Sequence, residues 1–201
     1  MVVMDKKREA IIEGAIKRFI HYGIQKTTMN EIAEDLSVSK PSLYYYFPDK
    51  SSLIEGVIEK IFSDYFEAIH SHLYTEVPLD ERLNTLIEIR FKFFQKYYML
   101  HLSGTTPDAS LNSEELKSLF MGMKKKNIEV HVDILKGAVE KGEIADCDLE
   151  KTAELYLDSL IGITSLCIMH GNKELFPSKK DMKLMLDKQL SLSTIFVKGL
   201  K

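Results

Sequence analysis

Two helix-start signals stand at positions 28 and 39 of this 201-residue chain, and together they leave room between them for only about two turns of helix. The first is Thr27 or Thr28, with Glu31 three residues beyond Thr28. A hydroxyl that accepts from a first-turn amide and a carboxylate that reaches back make a capping box ahead of Met29, Ile32, Ala33 and Leu36. The second is Ser39, followed by Pro41, whose fixed φ suits a first helical turn and whose missing N–H costs nothing there. Residues 41–47 then read as another short helix, closed by Pro48, and Asp49 or Ser51 can cap the next one. Upstream, Ile11, Ile12, Ala15, Ile16, Phe19 and Ile20 recur at helical spacing, which predicts an amphipathic helix over 8–22 ended by Gly23.

One helix and two short ones joined by a tight turn form a three-helix unit of the kind that lays its last helix in the major groove of DNA. The residues of that last helix suit the task. Lys40, Ser42, Tyr44, Tyr45 and Tyr46 crowd into seven positions, while Leu43 and Phe47, four apart, are left for the core. Successive helical side chains diverge by about 100°, so three consecutive tyrosines cannot all be buried. An exposed phenol donates to a phosphate oxygen while its ring packs on sugar. Lys40 and Lys50 bracket the helix as phosphate-neutralising cations, and Ser42 is short enough to allow close approach to base edges. Thr28 sits at the positive end of the preceding helix, a position that attracts phosphate. The acidic trio Glu31, Glu34 and Asp35 reads as a solvated face.

Net charge is −3 over the chain, with eight basic and seven acidic residues in positions 1–50, so the basic excess of this segment is small. The rest of the chain repeats the helical period: 51–74, 79–102, 113–127, 128–141, 149–170 and 178–200, with breaks at Val77 and Pro78, Gly104 to Asn112, Lys141 to Asp148 and Gly171 to Ser178. Nothing reads as a strand. The expected fold class is all-α, with a helix-turn-helix domain over 1–48 and a larger helical bundle over 49–201. Two cysteines, Cys147 and Cys167, are too few for a disulfide framework, no leader pattern opens the chain, and the longest apolar stretch, 160–169, is short of the roughly 20 residues a bilayer span needs. A cytoplasmic protein without a membrane partner is expected.

The run Thr27-Thr28-Met29-Asn30-Glu31-Ile32-Ala33, then Val38-Ser39-Lys40-Pro41-Ser42-Leu43-Tyr44-Tyr45-Tyr46-Phe47 and Asp49-Lys50-Ser51-Ser52-Leu53, resembles the N-terminal signature of the tetracycline-repressor (TetR) family. The likeness covers residues 8–55, with a fainter echo over 137–162. It implies a homodimer that binds a palindromic operator, usually represses, and leaves DNA when a small molecule occupies the C-terminal domain. It puts Thr28, Lys40, Ser42, Tyr44, Tyr45 and Lys50 at DNA and Leu43 and Phe47 in the core. Pro41 stands where many members carry glycine or alanine, and Tyr46 where histidine is frequent, so the base preference of a relative does not transfer.

In the larger domain, the helices over 149–170 and 178–200 carry apolar residues on more than one face, as a helix buried on two sides does. They are the expected dimer interface, a four-helix bundle in which Tyr156, Leu160, Ile163, Cys167, Met185, Leu192 and Phe196 meet the partner. The family resemblance implies the same pair. Aromatics flanking Pro78 suggest a pocket for a small-molecule effector, with Phe62, Phe66, Phe94, Tyr98, Met123 and His131 as candidates. His70 and His72, two apart on a helix, point to different sides, so no metal site and no cofactor are expected. Lys124 to Lys126 reads as a solvated basic run. Phosphate-binding glycine loops, nucleophile elbows and paired metal motifs are missing, which argues against an enzyme. The competing reading is a regulator-derived protein that answers to a protein partner and binds DNA weakly.

Overall fold

The computed structural model describes residues 2–73, 76–98, 114–170 and 177–201. Among these residues there are eight helices and no strand: α1 (Val2–Tyr22), α2 (Met29–Asp35), α3 (Lys40–Tyr46), α4 (Lys50–Leu73), α5 (Leu79–Lys96), α6 (Glu114–Glu140), α7 (Leu149–His170) and α8 (Lys179–Gly199). The caps are those the sequence signals. Thr28 makes the full capping box with Glu31, Ser39 accepts from the Ser42 amide, and Asp49 accepts from the Ser52 amide at 2.7 Å. Ser178 pairs with Asp181 in a second capping box.

Two boundaries differ from the sequence expectation. A single helix, α6, replaces the two expected over 113–127 and 128–141. Asn127, at the supposed join, is buried and turns its side-chain amide onto the Met123 carbonyl at 3.1 Å, so it continues the helix rather than capping a new one. Helix α5 stops at Lys96, short of residue 102, and Tyr97 lies in a turn. The expected break at Gly104 to Asn112, and residues 171–176 of the one expected at Gly171 to Ser178, lie outside the described residues.

The chain divides into two compact units, Met1–Phe66 with Phe93–Met121, and Glu67–Lys92 with Gly122–Lys201. Neither unit ends at residue 48: α4 follows directly on α1 to α3, and its Leu53, Ile54 and Val57 are wholly buried in the same core. That core joins Ile11, Ala15 and Phe19 of α1, Ile32 and Ala33 of α2, and Leu43 and Phe47. Each isoleucine, leucine or phenylalanine side chain among them contributes roughly 1.5–3 kcal/mol when taken fully out of water. Close approach of α1 and α2 depends on Gly14, where a Cβ would meet Leu36 Cδ2 at 2.5 Å.

In the second unit, α7 and α8 pack together. The buried Gln189 of α8 donates to the Leu160 carbonyl at 3.0 Å and to Thr164 Oγ1 at 2.9 Å. Buried Arg82 holds the start of α5 in place: its Nη2 donates to the Val77 carbonyl at 3.0 Å and lies 3.7 Å from Glu143, whose other oxygen accepts from the Leu79 amide at 2.6 Å. Gly142 takes φ +71 to end α6, its own amide and that of Glu143 returning to the carbonyls of Val139 and Ala138.

Candidate nucleic-acid interface

Helix α3 is held by one side and offered by the other. Leu43 is fully buried and Phe47, its C-cap, is 2% exposed, whereas Tyr44 is 44% and Tyr45 69% exposed. Tyr46 leans on the core, with the Tyr45 ring edge-on to it at 5.3 Å between centroids. Of the three tyrosines, two therefore present phenols outward. Lys40 is exposed on the first turn of α3, Ser42 is half-buried, and Lys50 is half-buried at the start of α4. The guanidinium of Arg8 covers the Phe47 ring, 5.1 Å from its centroid, and Gly56 leaves space for that ring, since a Cβ there would come within 3.1 Å of it.

The turn that aims α3 is built without glycine. Ser37 takes φ +52, in the left-handed region, while its amide and that of Val38 return to the carbonyls of Glu34 and Ala33 at 3.0 Å each. This closes the end of α2 in the paired-bond motif that glycine usually serves, and Val38 packs on the core beyond it.

Thr28 is exposed, as expected of a DNA contact, but its groups are engaged: backbone amide and hydroxyl both donate to Glu31 Oε2, at 2.8 and 2.9 Å. Those two bonds, and the nearby Arg18, hold the Glu31 carboxyl below its ordinary pKa. The acidic trio is only partly a free solvated face. Arg18 of α1 reaches Glu31 at 2.8 Å and Asp35 at 2.7 Å, and its charged form is favoured first by the Asp35 hydrogen bond. Sequence reasoning missed Arg18, which has no local signal, because its partners lie on another helix. By neutralising two carboxylates beside the exposed α3 it makes the net charge of this segment less important than the arrangement of that charge.

The remaining candidates are distributed as follows. Phe62, Phe66, Phe94 and Tyr98 belong to the first unit, where Phe62 meets Phe120 edge-on at 5.7 Å and Phe94 meets Tyr98 at 5.4 Å. Met123 and His131 belong to the second. His131 is buried beside Tyr156, and its Nδ1 lies 2.8 Å from the Asn127 carbonyl. Of the residues expected to meet a partner, Tyr156, Leu160 and Met185 are 3% exposed or less within the chain itself, so they have no surface left to cover. Ile163, Cys167, Leu192 and Phe196 are half-buried. The exposed apolar side chains are Leu155, Ile161, Leu166 and Met169 of α7 and Leu184 and Ile195 of α8. Lys124 pairs with Glu154 and Asp158, each at 3.2 Å, so the basic run over 124–126 is partly engaged. Among the described residues no cluster of metal-ligating side chains occurs. One helix, Leu149–Met169, has the length and mean hydropathy (1.3) of a bilayer span, though only 28% of it is buried.

Residues 11–57 match the profile of the bacterial regulatory proteins, tetR family. The chain is similar to a crystal structure of a transcriptional regulator from Cytophaga hutchinsonii, 28% identical with a TM-score of 0.86 over 96% of this chain and 98% of that one. It is 28% identical to the HTH-type transcriptional regulator RutR of Escherichia coli K12 over 72% of this chain and 68% of that protein. It is 23% identical to the biofilm operon icaADBC HTH-type negative transcriptional regulator IcaR of Staphylococcus epidermidis, over 64% of this chain and 68% of that protein.

Proposed function

We propose that this chain, whose residues 11–57 match the tetR family of bacterial regulatory proteins, is a DNA-binding transcriptional regulator, a cytoplasmic repressor whose homodimer binds a palindromic operator and releases it when a small molecule occupies residues 49–201. The observation that carries the reading is the split character of α3: Leu43 and Phe47 buried, Tyr44 and Tyr45 exposed beside Lys40. A helix fixed to its core by two residues and bearing phenols and a lysine outward is suited to phosphate and base-edge contact. Thr28, within the proposed DNA-reading segment 1–48, and Lys50, just past its border, flank it. The negative regulator of Staphylococcus epidermidis among the relatives supports repression.

A second copy is the proposed cover for the apolar surface of α7 and α8. Leu155 and Leu166 are eleven positions apart, as are Leu184 and Ile195, which brings each pair within about 20° around its helix. Each helix thus carries a stripe that its own unit leaves exposed, and two-fold pairing of both helices would bury it. The hydropathy of α7 follows from the same requirement, an inner and an outer apolar face on one helix.

Binding to DNA upstream of the chain's own gene, followed across a salt series with Tyr44→Ala and Lys50→Ala alongside, tests the reading. Specific binding that weakens steeply with salt is expected, with both variants impaired and the log–log salt slope of Lys50→Ala reduced by about one. No specific binding, or binding unchanged in both variants, would return the chain to the partner-answering alternative.

A further inference from the structure

The core-facing stripe of α1 ends in a cation. Phe19, Ala15 and Ile12 are buried at helical spacing, and the next position toward the N-terminus on that face is Arg8, which is exposed. Its guanidinium lies over the Phe47 ring, 5.1 Å from the centroid. A Cβ added at Gly56 of α4 would come 3.3 Å from Arg8 Nη2 and 3.5 Å from Ile12 Cδ1, so the side chain also lies against α4 where that helix has no side chain of its own. The stem follows the apolar rim of the core and the charge stays at the surface.

This seat leaves the hydrogen-bonding edge of the guanidinium unused. An aromatic ring holds a cation by its face, and among the described residues Arg8 has neither a hydrogen bond nor an ion pair. The carboxylates near it in sequence are turned elsewhere: Glu13 lies 3.9 Å from Lys60 Nζ, Glu9 acts on the same lysine, and Asp49 of the α3–α4 junction accepts from the Ser52 amide. Lys6 and Lys7, both exposed, precede Arg8, so three of the eight basic residues in positions 1–50 are consecutive. The ring that seats Arg8 is the C-cap of α3, three residues before Lys50 at the start of α4. The charge is thereby fixed at the end of the helix whose Tyr44 and Tyr45 face outward. A guanidinium offers parallel N–H donors that match two oxygens of a phosphate, and a side chain already held in place loses less freedom on binding.

We propose that Arg8 is a phosphate-binding residue of the DNA interface, seated on the Phe47 ring so that its free N–H edge meets the backbone of the strand passing the junction of α3 and α4. This rests on the reading of α3 as the DNA-facing helix and adds a contact supplied by α1. It gives Phe47 two tasks, filling the core beneath α3 and carrying the cation at its rim, and it gives Gly56 the task of keeping the seat open. A phosphate contact carries no sequence information, so Arg8 contributes affinity and docking register and leaves base preference to α3.

The test compares the full chain with Arg8→Met and Arg8→Lys for binding to the duplex from upstream of its own gene and to a random duplex of equal length, across a salt series, with Tm followed by circular dichroism. Arg8→Met keeps a stem to cover Phe47 and removes the charge. It is expected to weaken binding to both duplexes by similar factors, about tenfold or more, and to reduce the log–log salt slope by about one, with Tm close to wild type. Arg8→Lys should keep the slope and recover only part of the affinity, since an ammonium lacks the fork. Wild-type affinity and slope in Arg8→Met would overturn the proposal. So would weaker binding at unchanged slope with a lowered Tm, which would make Arg8 a packing residue only, and so would a loss confined to the upstream duplex, which would make it a base contact. Tyr44→Ala and Lys50→Ala in the same series separate this from the reading of α3: if both are impaired while Arg8→Met binds like wild type, Arg8 is removed and the DNA-facing helix stays, and the converse keeps Arg8 at DNA and removes α3. A wild-type chain that binds neither duplex overturns both.

Discussion

Helix α3 makes opposite demands on neighbouring residues, and two truncations on it should fail in opposite ways. Leu43→Ala empties a position with no solvent exposure between α1, α2 and α3. Substitutions of this kind cost about 2–5 kcal/mol, the lost transfer free energy plus that of the cavity, against a total stability of roughly 5–15 kcal/mol for a folded domain. Tyr45→Ala removes a ring that is 69% exposed and whose recorded packing is the edge-on contact with Tyr46, an interaction worth about 0.5–1.5 kcal/mol. Its effect on stability should therefore stay near or below about 1 kcal/mol, while loss of a phenol–phosphate bond should weaken operator binding by roughly ten- to a hundredfold, since hydrogen bonds to charged groups are worth about 1.5–3 kcal/mol. Tyrosine carries no charge, so the salt slope of binding should be unchanged in Tyr45→Ala. The chain has no tryptophan, so urea unfolding is best followed by far-ultraviolet circular dichroism, and DNA binding by anisotropy of a labelled duplex. A Tyr45→Ala protein destabilised by more than about 2 kcal/mol, or one that holds the operator as tightly as wild type, would refute the division of α3 into a packed face and a reading face.

Two further outcomes follow from backbone and burial. Because burial lowers His131 from 6.5 to about 4, the unfolded chain binds a proton that the folded chain refuses throughout that interval; stability should fall as pH drops from about 6.5 toward 4, by roughly 3 kcal/mol in all, and His131→Gln should flatten that part of the pH profile. At the two left-handed positions the signs are opposite: Ser37→Gly should raise the urea midpoint by about 0.5–1 kcal/mol equivalent at constant m, and Gly142→Ala should lower it by about 1–2 kcal/mol, so a destabilising Ser37→Gly would mean the turn before α3 is unstrained.

Local signals carried the limits of α2 and α3 almost completely. Thr28, Glu31, Ser39 and Pro41 place the ends of α2 and α3 because caps act within three residues of themselves, and the four-residue spacing of Leu43 and Phe47 assigns the packed side of α3 because helical geometry is fixed. Where the signal was non-local the reading fell short. Arg18 finds Glu31 and Asp35 across a helix junction, Ser37 adopts a conformation that its side chain does not advertise, and Asn127 sits inside a helix because burial and a bond to Met123 outweigh its taste for caps.

Residue order and helical period alone establish that the chain is helical, where its short helices begin, and that α7 and α8 each carry more apolar surface than one face can hold. They do not determine which of those faces turns inward. Tyr156, Leu160 and Met185 face their own unit while Leu155, Leu166, Leu184 and Ile195 face outward, and the helical period is the same for either arrangement. Periodicity records which residues share a face; what that face meets is decided by partners far away in the chain, and only the packed tertiary structure brings them together.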